Sequence, residues 1–416
     1  MRRELDHKRR KRRVSLTAAI LAGASILALL PATSAAAANN PGGNNQDGNS
    51  QGSSQASTYA VYGDSPYATP DTTPDDPLSQ FHATPQFIET INADPDVSGV
   101  IHVGDLHSGS ENCTQAYDQA IANFWKAYED PVYYTPGDNE WADCQKAKQH
   151  PEFADTYQKG DPIANLALVR QLFFRHPGIT LGQDAKHVMS QASAYDPNFP
   201  TDKQYAENTI WTQSRSLFVT INVPGGSNND HDIWNPFTTG TASETQAQHD
   251  EYTNRTAADL RWLDTAFTMA KAAHDTGVVV LVQADMWDTE KNNPAILTNY
   301  TPFVSKIADR TRDFGGTVLL INGDTHVYRS DDPLVNDAPC VSELPARCAA
   351  DHDAYDLQPL PAFPGLGAAK FHRIVVHGST NPMEWLKLTI DPSQNAPESA
   401  NAVGPFSWSR QIQALP

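Results

Sequence analysis

The chain has 416 residues, 39% of them hydrophobic and 19% charged, with a formal net charge of −19. That length suits one large domain or two small ones and is ample for a buried core. So acidic a balance argues against nucleic acid or an anionic membrane as partner and is compatible with binding cations.

The first 38 residues pass from HKRRKRRVS through LTAAILAGASILALLP to ATSAAAA. A basic start, an apolar centre and a small-residue end are the layout of a secretory signal peptide. The apolar run is short for a transmembrane helix, and Arg12-Arg13 also fits a twin-arginine signal. The expectation is a secreted protein without a stable membrane anchor after cleavage; an uncleaved anchor is the alternative. These residues hold eight Lys or Arg and two acids, so removing their +6 leaves −25. Residues 39–58, NNPGGNNQDGNSQGSSQAST, have almost no apolar content and read as a flexible linker. The folded domain is then 59–416.

Within it, apolar, β-branched or aromatic runs read as buried strands: 59–62, 99–103, 132–135, 216–223, 277–283, 317–322, 371–378 and 384–390. Two intervening stretches read as amphipathic helices. QAYDQAIANFWKAY puts Ala120, Ile121, Phe124 and Tyr128 on one face, and AADLRWLDTAFTMAKAA does the same with Leu260, Leu263, Phe267 and Ala270. Strands alternating with helices imply an α/β domain, and the closing strand succession implies a second sheet. Segments 184–204 and 330–366, rich in Pro, Asp and small residues, read as surface loops. An even count of cysteines in an exported chain favours disulfides. Cys340–Cys348 would close a small loop and Cys113–Cys144 a larger one, but four cysteines allow three pairings.

Four apolar runs end alike: AVYGD at Asp64, GVIHVGD at Asp105, VYYTPGD at Asp138 and TVLLINGD at Asp324. A fifth, VVVLVQAD, ends in Gln283 and Asp285. Ligands of open α/β sheets bind beyond the carboxyl ends of the strands, and the glycine before each aspartate allows a sharp turn there. Four or five carboxylates therefore converge at one sheet edge. Such a cluster repels itself unless a cation binds.

These residues resemble the calcineurin-like metallophosphoesterases, a family that includes purple acid phosphatases. The family pattern is a strand-end Asp, then GD, GNH(D/E), a lone His and GHxH. YGDSPY, HVGDLHSG, TPGDNEW, LVQADMW and GDTHVYR follow in that order from Asp64 to His326. The resemblance implies an α/β/β/α sandwich: two packed mixed sheets flanked by helices. It implies two divalent ions and hydrolysis of a small phosphate ester. Asp105 would bridge the ions, with Asp64 and His326 on the first and Asp138, Gln283 and Asp324 on the second. Two ions can hold a phosphate oxygen and acidify a water.

The departures from the pattern matter. Asn139 stands where the family has a catalytic His, and Asn cannot protonate a leaving group. Gln283 replaces the lone His, and Asp324 the first His of GHxH. Pro66 stands where many members have a second His ligand, a loss that His107 would offset. Oxygen-rich ligands suit Mn, Mg or Ca better than Zn. Ser108 stands where purple acid phosphatases carry their iron-binding Tyr, which argues against Fe.

Around this set, Arg329 is a candidate phosphate partner, or else pairs with Asp331 or Asp332. His377 at a strand end, and Trp141 and Trp287 beside two motifs, are candidate pocket residues. Asn222 and the segment 230–236 with His231 are candidates for its border, whereas His102 reads as an interior histidine. Two other functions stand beside the phosphoesterase. One is a metal- or ligand-binding domain without turnover. The other is a GDSL-type esterase using Ser65 as nucleophile, with GGSNND and DAKH imitating its later blocks in the wrong order.

Overall fold

The computed structural model describes residues 54–67, 79–146, 155–229, 233–288, 294–335, 339–348 and 370–413. The expected signal peptide, most of the linker and His231 lie outside these residues. The chain forms β1 (Ser57–Tyr62), β2 (Val97–His102), β3 (Val132–Tyr134), β4 (Met189–Ser190) and β5 (Thr209–Gln213). There follow β6 (Ser216–Thr220), β7 (Gly277–Leu281), β8 (Thr317–Asn322), β9 (Arg329–Asp331) and β10 (Val341–Ser342). The last five are β11 (Phe371–Val375), β12 (Met383–Ile390), β13 (Ala396–Ser399), β14 (Ala402–Gly404) and β15 (Phe406–Gln413). Among the described residues no helix is long and apolar enough to cross a membrane.

The strands make two mixed sheets. One has the order β13-β14-β15-β12-β1-β2-β3, the other β10-β9-β11-β8-β7-β6-β5-β4. β1, β2 and β3 are parallel, as are β6, β7, β8 and β11; the outer strands are antiparallel.

Period-two alternation divides each parallel strand between two cores. Val61, Ile101, Val279, Leu281, Leu319 and Ile321 point between the sheets. Val278, Val280, Val318 and Leu320 pack instead with Leu263 and Phe267 of the helix Gln246–Ala273 and with Val304 and Ile307 of the helix Thr301–Phe314. On the far side Ala60, Tyr62 and Val100 pack with Phe87 and Ile121 of the helices Gln80–Asn92 and Gln115–Phe124. Strands buried on both faces read as unbroken apolar runs rather than alternating ones. The architecture is therefore the expected sandwich of two packed mixed sheets with helices on both outer faces.

The loop reading of 184–204 is corrected in part: it holds β4, the short helix Gln191–Ala194 and the turn Pro200–Gln204. Of 330–366, the described part includes the end of β9 and all of β10. Both disulfides join the nearer cysteines, Cys113–Cys144 and Cys340–Cys348. Their Cα separations of 5.6 and 5.8 Å are ordinary for the bond, and two disulfides fit an extracellular protein.

Candidate metal centre

The parallel strands of both sheets deliver their carboxyl ends to one edge. Two strand-end loops are clamped there: the Asp64 N–H donates to the Gly104 carbonyl (2.9 Å) and the Ser65 N–H to the Asp105 carbonyl (3.1 Å). Asp64, Asp105, Asp324 and His326 all take left-handed backbone, with φ of 48°, 62°, 78° and 63°. Such residues cost energy and cluster at functional sites. Here the aspartates themselves make the turns, whereas the glycines mainly provide room. A Cβ on Gly137 would lie 2.0 Å from Asp105 Oδ1.

Two groups of ligand-type atoms form, each within 4.8 Å: Asp64, Asp105 and His326, and Asp105, Asp138 and Asp324. Asp105 belongs to both, the place of a bridging ligand. His326 Nε2 is 3.5 Å from Asp64 Oδ1, and the Asp324 N–H donates to the Asp64 carboxylate at 2.9 Å. Burial pushes Asp64 up to about 8, against the help of its hydrogen bonds. Asp105 and Asp324 also lie well above the usual carboxylate range, through burial first and the Asp138 charge second. Protein groups alone thus leave this cluster short of positive charge, the condition a cation relieves.

Gln283 differs from its expected role. Its Nε2 donates to Asp105 Oδ2 (3.1 Å) and Asp138 Oδ1 (3.0 Å), while its Oε1 accepts the Gly225 N–H (2.6 Å). An amide N–H is a donor and does not ligate a cation. In this geometry Gln283 ties two carboxylates together, with its amide nitrogen toward them.

Gly225 begins an unusual wall. Gly226, Ser227, Asn228 and Asn229 are all left-handed, with φ between 59° and 61°. That conformation costs L-residues about 1–2 kcal/mol each. The buried Arg255 guanidinium holds the turn, donating to the Asn222 and Asn228 carbonyls at 2.9 and 3.0 Å and to the Asn228 side chain. A Cβ on Gly225 would sit 2.7 Å from Asp138 Oδ2 and 2.8 Å from Asp324 Oδ1.

Asn139 lines the cleft. Its N–H donates to Asp105 Oδ1 (3.2 Å) and its Nδ2 to the Tyr67 hydroxyl (2.8 Å). Tyr67 was missed by the sequence reading. Its hydroxyl donates to Asp105 Oδ2 (3.2 Å) and approaches His326 Nε2 (3.5 Å). Its only signal was proximity to Asp64. Glu140, next to Asn139, turns inward and accepts from the Gly137 N–H and the Tyr134 hydroxyl, both at 2.6 Å.

Other candidates fall outside. His107 is buried against Tyr117, with Nδ1 on the Ser108 carbonyl (3.0 Å), and joins neither ligand group. Arg329 is buried beside Asp285 (3.5 Å), which also takes Arg373 (2.8 Å), while Asp331 pairs with Arg373. Burial raises the Asp285 carboxyl, but Arg373 and then Arg329 more than offset it and hold it below its usual range. His377 pairs with Glu343 at 3.0 Å, away from the cleft lining. These two and Glu384 make a third group of ligand-type atoms, but the Arg410 guanidinium already occupies both glutamates. Trp141 and Trp287 are fully buried and lie under Arg255 and Arg373 rather than offering a stacking face. Asn222 is buried against Glu207.

His102 is an interior histidine, its Nε2 donating to the Ser65 carbonyl (2.7 Å) and its Nδ1 accepting the Gly104 N–H (3.1 Å). The serine-nucleophile reading fails on geometry. Ser65 Oγ is buried without a hydrogen-bond partner, so no base activates it. Asp184 and His187 of DAKH are exposed, and Asp184 pairs with Lys186.

The cleft over these groups has a volume of about 370 Å³. Asp105, Asp138, Asp324 and His326 line it, as do the ion pairs Lys146–Asp143 and Arg347–Asp288.

The model of the calcineurin-like phosphoesterase family matches residues 60–328, more than half of the chain. Among solved structures, a purple acid phosphatase from yellow lupin (Lupinus luteus) seeds is similar at 10% identity and a TM-score of 0.36. The similarity covers 82% of this chain and 50% of that one, so the chain spans about half of that protein's length. No curated protein matches the chain.

Proposed function

We propose that this chain, which belongs to the calcineurin-like phosphoesterase family, is a secreted metal-dependent hydrolase of small phosphate esters. The observation that carries this reading is the pair of ligand groups sharing Asp105, built from buried carboxyls that their own surroundings leave uncompensated. The donor set is one imidazole and four carboxylates, which fits two hard divalent cations, Mn, Mg or Ca. Asp64, Asp105 and His326 would hold one, and Asp105, Asp138 and Asp324 the other. Such a pair supplies charge neutralisation at a phosphoryl group and acidifies the attacking water.

The chain's own residues orient the site. The Gln283 amide fixes Asp105 against Asp138. Asn139 holds the Tyr67 hydroxyl over Asp105 and His326. Asn139 donates a hydrogen bond but no proton, so turnover should depend steeply on how readily the leaving oxygen departs. Export rests on the N-terminal signal pattern, and the two disulfides support it.

The test is a calorimetric titration of residues 54–416 and its Asp105→Ala variant with Mn, Mg and Ca, followed by a panel of phosphate esters. Two ions per chain, lost in the variant, with hydrolysis in their presence is the expected result. An absence of binding by every cation would sink the proposal. A second reading, a binding protein without turnover, is favoured by the Gln283 amide between two carboxylates and by Asn139. It would show as one bound ion and no hydrolysis.

A further inference from the structure

Each carboxylate of the group Asp105, Asp138 and Asp324 already has an oxygen engaged by the protein. Asp138 Oδ1 accepts the Gln283 amide (3.0 Å), and Asp324 Oδ2 accepts the Asp285 N–H (3.0 Å). Asp105 accepts the Asn139 N–H on Oδ1 (3.2 Å) and the Gln283 amide on Oδ2 (3.1 Å). The second oxygens of Asp138 and Asp324, Oδ2 and Oδ1, are the ones packed against Gly225. Carboxylates held this way grip a cation through one oxygen each and do not swing freely to offer two.

The wall behind them is braced as firmly. The Gly225 N–H on Gln283 Oε1 (2.6 Å) fixes which way that amide faces, because a reversed amide would set donor against donor. From the helix Gln246–Ala273, Arg255 takes the Asn222 and Asn228 carbonyls, and Thr256 accepts the Asn228 amide (2.9 Å). Arg255 is fully buried and is itself aligned by Glu251 (2.6 Å). It therefore bridges the strand end at Asn222 to the left-handed turn at Asn228. From the other side, the Asn299 amide reaches the Ser227 carbonyl (3.3 Å) and the Tyr300 hydroxyl the Pro224 carbonyl (3.2 Å).

Divalent cations differ in what they ask of such a site. Ca takes about six to eight oxygens at roughly 2.3–2.6 Å, often both oxygens of one carboxylate, in a flexible shell. Mg demands a near-ideal octahedron at roughly 2.0–2.1 Å and keeps several waters beside one or two carboxylates. Mn also suits octahedral oxygen sites. Three single oxygens on the lining of an open cleft fit the second kind of shell, completed by water, and a braced wall keeps them from widening into the first. We propose that the wall Gly225–Asn229, clamped by Arg255, makes the site of Asp105, Asp138 and Asp324 select a small octahedral cation, Mg or Mn, over Ca. Arg255 is its positioning residue. This deepens the phosphoesterase reading, on which it rests for the presence of the ions, and narrows which ion the second site takes.

The test is calorimetric titration of the protein with Mg, Mn and Ca in turn, the second site being identified as the one that Asp138→Ala removes. Mg and Mn should each fill that site about tenfold more tightly than Ca. Arg255→Met removes the clamp without touching a ligand. It should bring the ratio down toward unity at that site, by about tenfold, and leave the affinities of the Asp64, Asp105 and His326 site unchanged. Arg255→Lys keeps the charge but not the planar fork, and its ratio should fall between the two. Should Arg255→Met fail to fold, Asn228→Gly takes its place. Glycine adopts left-handed backbone freely, and the change drops the side-chain bonds to Arg255 and Thr256. Ca bound as tightly as Mg and Mn at the second site would overturn the inference and leave the two-ion centre standing. So would a ratio unaltered in the folded variants. Failure of every cation to bind would overturn both.

Discussion

Replacing Gly225 by alanine tests the metal centre without touching a ligand. The added Cβ would stand 2.7 Å from Asp138 Oδ2 and 2.8 Å from Asp324 Oδ1, roughly 0.6 Å inside ordinary van der Waals contact. The Gly225 backbone cannot yield freely, because its N–H is bonded to Gln283 and the turn after it is held by Arg255. The carboxylates must therefore move. Ligand distances in a working site hold within about 0.2 Å, so a shift of several tenths of an ångström spoils one group of three. Changes beside a metal's ligands typically cost about 10–100-fold in affinity. Calorimetric titration with Mn should show one site kept, that of Asp64, Asp105 and His326, and the other weakened by that factor. Unchanged affinity at both sites, with the fold intact by circular dichroism, would refute the placement of an ion between Asp138 and Asp324.

Tyr67→Phe removes the hydroxyl that joins Asn139 to Asp105; kcat should fall about tenfold with two ions still bound, as read by steady-state kinetics and elemental analysis. Burial pushes His102 down to about 4 from 6.5, so the native state resists protonation there. That stability is present above pH 6.5 and is lost as pH falls toward 4, at most about 3 kcal/mol. His102→Gln should flatten the acid limb of a urea-unfolding pH profile by part of that amount, and an unaltered limb would contradict it. Asp285→Asn leaves Arg373 and Arg329 buried beside a neutral group; a loss of about 3–5 kcal/mol is expected by chemical denaturation, with cation binding retained.

Much of the frame was legible in the chain. Each predicted run became a strand, because β1, β2, β6, β7 and β8 are buried on both faces and leave an unbroken apolar signature. Some of the elements missed have weak signals, whereas β15 and the helix Thr301–Phe314 are amphipathic and were passed over. β9 and β13 are short and polar, RSD and APES, and the helix Pro162–Phe173 carries its apolar residues without a clear stripe. The aspartates were legible for the same local reason: an apolar run stops at Gly-Asp, and parallel strands stop at one edge.

Local pattern therefore determined the family resemblance, the two-sheet architecture and the convergence of Asp64, Asp105, Asp138, Asp324 and His326. Tertiary structure decided the direction of the Gln283 amide, since its oxygen goes to a Gly225 N–H 58 residues earlier in the chain. It also brought the Tyr67 hydroxyl to Asn139, 72 residues away. It buried Trp141 and Trp287 under arginines and brought Lys146 and Arg347 to one cleft. Hydrophobic periodicity is written in neighbouring residues. A donor's choice of acceptor depends on groups that only folding makes neighbours, and no spacing in the sequence encodes it.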